Sequence, residues 1–409
     1  LYEMDYIIEP ERKIPVKAEY DTVVAGGGIA GIAAAAAAAR GGARVLLIEK
    51  QYMLGGLATA GLVTIFLPLC DGMGRQVTFG IAEELLRLSV RHGYEGEYPS
   101  AWLENGSYAE KAKHRFEVQY NPYIFAIEAE KLLKAAGVDI LFGTSVCETY
   151  VSDGKIQHII TENKSGRTAV ALKNIIDCSG DADICRLAGE NTVVFSQGNV
   201  PASWYYYVEN GENKLKMLGF SDIPDSQKTA EQLENSKSSL RFTGLEADEL
   251  SDLTLYSHSV LLDDFLKKGK DTPKYSLSSI ATTPQIRMTR RIDGKYTQDD
   301  TEMHKEYNDS VGLFSDWRKP GPVYELPFGA LTGRKITNLL AAGRCISATD
   351  AMWDITRVIP VCALSGQAAG TAAAMTDNFD GIDINKLQDS LKLNGVILHE
   401  SDIISDKND

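Results

Sequence analysis

The segment from Thr22 to Lys50 constrains the fold more than any other. It reads Thr22-Val23-Val24-Ala25, then Gly26-Gly27-Gly28-Ile29-Ala30-Gly31, then an alanine run to Arg40, then Arg44-Val45-Leu46-Leu47-Ile48 and Glu49-Lys50. Alanine is the best helix former, so the run predicts a helix, and Gly41-Gly42 supplies its stop. A strand, a glycine turn, a helix and a second strand follow within about thirty residues. In that context the G-x-G-x-x-G at Gly26, Gly28 and Gly31 predicts a dinucleotide-binding turn. Gly26 permits the tight turn, Gly28 lets the backbone approach a pyrophosphate, and Gly31 lets the helix lie close on the strand. The amides at the helix start, at Ile29 and Ala30, offer donors and positive potential to phosphates. Glu49 ends the second strand, beside Lys50, where a carboxylate accepts from both ribose hydroxyls and repels a 2′-phosphate. NADP is therefore disfavoured in this pocket. The alternative is a plain glycine turn beneath a packed helix.

The 409 residues allow two or three domains and a core without disulfide or metal staples. Lys and Arg number 42 against 56 Asp and Glu, a net charge of −14. Such a chain repels phosphate backbones and acidic lipid surfaces, so neither nucleic acid nor a polybasic membrane contact is expected as a partner. No run of 18 apolar residues occurs, so no membrane span is expected. The first residues lack the charged-then-apolar pattern of a signal peptide. Six cysteines, at 70, 147, 178, 185, 345 and 362, form no CxxC pair and accompany no His cluster. They read as free thiols in a reducing compartment, which points to a cytoplasmic protein with no metal site.

Residues 1–19 read as an arm. Helices are expected over Ile81 to Arg91 and Ala126 to Ala136. Short strands follow at 140–142, 146–151, 156–161 and 169–172, with an Asp153-Gly154 hairpin turn, and a buried strand at Asn174 to Cys178. The texture changes after about residue 190. Ser203 to Val208 is an aromatic strand candidate. Residues 221–248 are polar with weak periodicity, 250–265 trace a helical face, and Ile286 to Ile292 alternates as a strand. Buried-strand texture returns at 338–344, and a small-residue helix covers about 360–375. We read a discontinuous nucleotide-binding domain, 20–190 and 326–390, an inserted domain, 191–325, and terminal arms, 1–19 and 391–409. The fold class is α/β: a Rossmann-like domain with an inserted α+β substrate domain.

The ligand remains open between NAD and FAD at this level. Gly55-Gly56-Leu57-Ala58 follows Glu49 almost at once. A second donor-rich loop there suits a longer dinucleotide whose second half runs back along the sheet. A surface loop is the alternative.

Tyr20 to Thr59 resembles the ADP-binding half of the glutathione-reductase-type FAD fold. Together with Ile176 to Asp183, Leu340 to Ala348, and Arg357-Val358-Ile359-Pro360 running into Gly366-Gln367-Ala368-Ala369-Gly370, it resembles the FAD-dependent oxidoreductase family, distantly similar to fumarate reductase flavoprotein subunits. Phe79 departs from the glycine that the family tends to carry before Gly80. The resemblance implies a flavoprotein oxidoreductase with FAD as cofactor. It implies that Val146 meets the adenine, that Ser179, Gly180 and Asp181 approach the ADP side, and that Gly343 and Arg344 approach the pyrophosphate or ribityl chain. It also implies that the helix after Val358 aims its start at the flavin pyrimidine, where a helix N-terminus stabilises negative charge.

No second G-x-G-x-x-G and no redox cysteine pair is present. Arg287, Arg290 and Arg357 are candidate anchors for a substrate anion, since a guanidinium grips a carboxylate through two parallel hydrogen bonds. Structural ion pairs are the alternative. The expected function is hydride transfer between a small organic substrate, anionic if these arginines are its anchors, and flavin N5, with a further electron donor or acceptor as partner. Two alternatives are an NAD-dependent dehydrogenase with one Rossmann unit and an FAD-binding protein without turnover.

Overall fold

The computed structural model describes residues 6–219, 226, 228–230 and 240–403. Most of the polar stretch expected over 221–248 falls outside them up to residue 239, as do residues 1–5 and 404–409 of the two expected arms. The main sheet contains β1 (Val16–Ala25), joined through helix α1 (Ile29–Arg40) to β2 (Val45–Ile48). It continues with β3 (Asp139–Leu141), β4 (Ser145–Ser152), β5 (Lys155–Asn163), β6 (Gly166–Asp177) and β7 (Leu339–Ala341). A second long buried helix, α2 (Ile359–Met375), follows β7 after a short helix.

The strand order is β3-β2-β1-β6-β5-β4, with β7 also on β6. β3, β2, β1, β6 and β7 run parallel, whereas β4, β5 and β6 form an antiparallel meander. β6 serves both layers. Its first half pairs with β5, and its end, Ile175–Asp177, pairs with β7. The two segments expected at 169–172 and 174–178 are therefore one strand. Lys173 is exposed between two buried neighbours, and that single polar position divided them in the pattern.

Parallel strands with helices on their faces read as continuous apolar runs, and β2 is buried throughout. α1 is buried from Ile29 to Ala38 and α2 from Ile359 to Ala373, as expected for helices apolar on every side. Their contact depends on small residues. A Cβ on Gly366 would lie 2.2 Å from the Ala30 carbonyl oxygen, and one on Gly370 2.1 Å from that of Ala34. The two backbones touch, and the starts of both helices come to the same end of the sheet. None of the described helices is by itself long and apolar enough to cross a membrane.

Several boundaries need correction. Residues 16–19, expected in an arm, open β1, where Val16 and Ala18 pair with Ala169 and Val170 of β6, and their alternation, Val16-Lys17-Ala18-Glu19, continues into the strand. Past residue 390 the chain is not a loose arm either, since Leu391, Val396 and Leu398 are buried in the main core. The hairpin Ser310–Ser315 and Val323–Pro327 sends Val311, Phe314 and Tyr324 into that same core, although these three residues fall in the expected insert. The rest of the insert has a small core of its own. Strands Tyr205–Glu209, Glu212–Lys216 and Tyr275–Ile280 form an antiparallel sheet. The helix Ala247–Lys268 packs Leu261 and Phe265 against Tyr205.

The strand expected over Ile286 to Ile292 is regular only at Arg290–Ile292, where it pairs with Thr192–Val194. Before it, the Asn199 side chain replaces a ladder. Its Oδ1 accepts from the amides of Arg287 (3.3 Å) and Met288 (3.0 Å), and its Nδ2 donates to the Met288 carbonyl. All six cysteines are free, and five are buried.

Candidate active site

A cavity of about 470 Å³ opens at the carboxyl ends of β1, β2, β6 and β7, the usual ligand position of an open α/β sheet. Its size falls within the range of small-molecule sites. The three motif glycines do different work there. A Cβ on Gly31 would sit 1.8 Å from the Gly26 carbonyl oxygen, and one on Gly26, at φ +109°, 2.3 Å from that of Cys178. Both are glycine so that the chain can pack. Gly28 is extended (φ −68°, ψ −175°), and a Cβ there meets nothing within 4 Å. The space above it belongs to the cavity. Gly28, Ile29 and Ala30 line that space, whereas Gly31 lies beneath it. No side chain caps α1, so its first amides point toward the opening.

The second glycine loop closes directly onto the first. The Gly55 amide donates to the Gly27 carbonyl at 2.8 Å. Gly55 (φ +103°) and Gly56 (φ +55°) adopt left-handed backbone that favours glycine. Gly55, Gly56, Leu57 and Ala58 all line the cavity. Glu49, buried at the end of β2, accepts from the Gly27 amide at 2.7 Å and from the Gln51 amide at 2.8 Å. A carboxylate has about four lone-pair sites, so acceptor capacity remains for two hydroxyls. Lys50, and Val146 on β4, line the same end.

On the opposite wall, buried Asp177 accepts from the Ser179 amide (3.1 Å) and hydroxyl (2.6 Å) and from the Cys185 amide (3.0 Å). It thereby shapes the turn that presents Ser179, Gly180 and Asp181 to the cavity. The Asp183 carboxyl is pushed up to about 6, first by burial and then by Asp181 and Asp177, against the opposing Arg290 charge. Gly343, Arg344 and Val358 also line the cavity. α2 has no side-chain cap and carries a proline in its first turn. Two uncapped helix starts therefore converge on one cavity.

The arginines separate. Arg287 lines the cavity with its guanidinium carbon 5.2 Å above the Trp204 ring. Arg357 lines it too, and its Nε (3.0 Å) and Nη2 (2.6 Å) donate to Asp354. Arg290 does not reach the wall. It binds Asp183 at 2.7 Å and the Asp181 carbonyl at 2.9 Å, because β-pairing with Val194 turns it toward that loop. Arg344 ties the insert to this site by donating to the carbonyls of Ile286 (3.0 Å) and Arg287 (2.8 Å). Sequence inspection missed Val63, Ile65 and Leu67, which line the cavity. They belong to the apolar run Leu62 to Leu67, broken only by Thr64, a signal that was available without any alternation. Leu250, Thr283 and Pro284 also line it and carry no such signal.

Two uncapped helix starts, a buried carboxylate at the end of β2, open space over Gly28 and a second glycine loop offer donors, acceptors and room for an extended dinucleotide. The site is thus that of a dinucleotide-binding protein of the Rossmann class. The family described as FAD dependent oxidoreductase matches residues 21–239 and 201–391. The chain belongs to that family: it is an FAD-dependent oxidoreductase, and FAD rather than NAD is its cofactor. No curated protein matches it in sequence. Among solved structures it is similar to a geranylgeranyl bacteriochlorophyll reductase-like protein from Thermoplasma acidophilum. That pair shares 16% identity over 92% of this chain and 82% of the other, with a TM-score of 0.45. It is also similar to p-nitrophenol 4-monooxygenase from Pseudomonas putida (12% identity, 92% and 84% covered, TM-score 0.48). A third is 3-ketosteroid-delta4-(5alpha)-dehydrogenase from Rhodococcus jostii (16% identity, 88% and 98% covered, TM-score 0.40).

Proposed function

We propose that the protein transfers a hydride between a small organic anion and FAD, with the unit built on the Tyr205–Glu209, Glu212–Lys216 and Tyr275–Ile280 sheet and the helix Ala247–Lys268 acting as the cap that completes the substrate pocket. FAD, when bound, supplies N5 as hydride donor or acceptor, and its reduction leaves negative charge near N1 and the C2 carbonyl. The chain supplies the rest. The Gly26–Gly31 turn and the start of α1 hold the phosphates, Glu49 accepts from the ribose, and Val146 faces the adenine. Ser179, Gly180, Asp181, Gly343 and Arg344 follow the middle of the ligand, and the start of α2 at Val358 faces the pyrimidine. The walls formed by Val63, Ile65, Leu67, Leu250 and Pro284 exclude water from the far end.

The observation that carries the anionic substrate is the lining of that region. Arg287 and Arg357 line the cavity with two further cations, Lys50 and Arg344, and with Glu49, Asp181 and Asp183, in a chain of net charge −14. Positive charge in a low-dielectric cleft draws an anion in, and a guanidinium fixes its orientation. Arg290, held by Asp183, is set aside as an anchor. The test mixes the oxidised and the reduced holoenzyme, without oxygen, with small carboxylates and their neutral amides, and follows flavin absorbance. Carboxylates are expected to change the spectrum, and Arg287→Met or Arg357→Met to abolish the change while FAD is retained. Equal response to the neutral amides, or unchanged anion response in both variants, refutes the anionic substrate.

A further inference from the structure

A line of alternating charge runs inward to the cavity. Asp316, buried, accepts from Arg318 through Nε at 2.9 Å and Nη2 at 3.0 Å. Arg318 Nη1 reaches Asp354 Oδ2 at 3.5 Å. The other Asp354 oxygen accepts both the Nε and the Nη2 of Arg357, and Arg357 lines the cavity immediately before the uncapped start of α2. The Asp354 side chain is wholly inaccessible, whereas those of Arg357 and Arg318 keep 12% and 22% exposure. The order along the line toward the cavity is thus anion, cation, anion, cation.

The helix frame does not require this carboxylate. The Asp354 backbone is fixed separately, its carbonyl accepting from Trp317 Nε1 at 2.9 Å. A buried carboxylate is costly unless paired. This one sits where it sets both the orientation of Arg357 and the net charge that the cavity receives from it.

We propose that Asp354 is a positioning residue that holds Arg357 at the start of α2 and damps its charge, thereby setting the reduction potential of the bound flavin. This rests on the reading that α2 begins at the flavin pyrimidine. A cation there stabilises the negative charge of the reduced ring, and a carboxylate paired with that cation weakens the effect. The two ends of the line then act with opposite sign. Removing the Asp354 charge exposes Arg357 and favours reduction. Removing Arg318 leaves Asp354 to act on Arg357 alone and disfavours it.

The experiment measures the two-electron midpoint potential of the holoenzyme by anaerobic dye equilibration, alongside FAD content and melting temperature. Asp354→Asn is expected to raise the potential, with the reduced-to-oxidised ratio increasing about tenfold at fixed poise, ~30 mV for a two-electron couple. Arg318→Gln, on a partly exposed side chain, is expected to lower it by a smaller amount. Arg357→Gln is expected to lower it most, and to erase the effect of Asp354→Asn in the double variant. A general loss of structure would lower stability without producing shifts of opposite sign. If Arg357→Gln moves the potential and Asp354→Asn, with full FAD, does not, the role of Asp354 is refuted. If Arg357→Gln itself leaves the potential unchanged, the placement of the flavin at α2 fails instead, and the proposal with it. Should Asp354→Asn fail to bind FAD, Arg318→Gln decides: a fall supports the charge line, and an unchanged or raised potential overturns it.

Discussion

Gly28→Ala separates folding from cofactor binding at a single methyl group. The backbone at Gly28 is extended, in a region open to any L-residue, and its added Cβ has no neighbour within 4 Å. Replacing glycine by alanine in a compatible conformation stabilises a protein by about 0.4–1 kcal/mol, because the unfolded chain loses freedom. The apoprotein is therefore expected to melt at or slightly above the wild-type temperature. The methyl group then occupies the floor on which the FAD pyrophosphate must rest. Overpacking of that kind costs about 1–3 kcal/mol, roughly a 5- to 150-fold weaker Kd. Gly31→Ala is the control. Its Cβ would lie 1.8 Å from the Gly26 carbonyl oxygen, so α1 cannot seat and the apoprotein itself is destabilised. The assay is calorimetry of the two apoproteins followed by FAD titration through flavin fluorescence quenching. Wild-type FAD affinity in Gly28→Ala refutes the assignment of that space to the pyrophosphate. Equal destabilisation of both apoproteins refutes the distinction between packing and ligand glycines.

Further outcomes follow from neighbouring groups. Glu49→Gln keeps one acceptor and is expected to weaken FAD, whereas Glu49→Arg also leaves the Gly27 and Gln51 amides unpaired, at about 1–3 kcal/mol each, and should purify colourless; stoichiometric FAD in the arginine variant removes Glu49 from the ribose. NADH and NADPH are expected to reduce the flavin slowly, since no second G-x-G-x-x-G is present; bleaching within milliseconds at micromolar nucleotide in an anaerobic stopped-flow instrument contradicts this. Asp183 titrates near 6 in the folded protein, above its ordinary 3.8, so the folded state holds the extra proton between those values. Its contribution to stability is greatest at low pH and is lost as pH rises from about 4 to 6. The side chain is 47% exposed, which keeps the effect small. Asp183→Asn should flatten that part of the melting-temperature profile and leave its shape above pH 7 unchanged; parallel profiles throughout refute the shift.

Much of the nucleotide end was legible in the sequence because its determinants are local. The alanine run makes α1, glycines supply conformations or contacts that no side chain permits, and Glu49 ends a short apolar strand. The loop at Gly55 to Ala58 was legible for the same reason, since left-handed backbone is written as glycine. A change of texture was visible after about residue 190, and the helix and aromatic strand expected there lie close to where they occur.

What tertiary structure decided is where each chain segment finds its partner. β1 pairs with β6 from Val16 onward, a partner distant in sequence that the alternation Val16-Lys17-Ala18-Glu19 does not name. The expected strand at 286–289 is absent because Asn199, nearly ninety positions earlier, satisfies its amides. The arginines show the same principle. Arg287, Arg290 and Arg357 are equivalent in sequence as long cations beside apolar residues. In the fold one stacks on Trp204 at the cavity wall, one turns away to Asp183, and one is held at the cavity by a carboxylate buried beneath it. Backbone conformation is set largely by neighbours along the chain, and the sequence by itself determined the glycine turn, α1 and the second glycine loop that line one half of the cavity. The direction and effective charge of a long side chain are set by groups distant in sequence, and only their assembly around one cavity decided the other half.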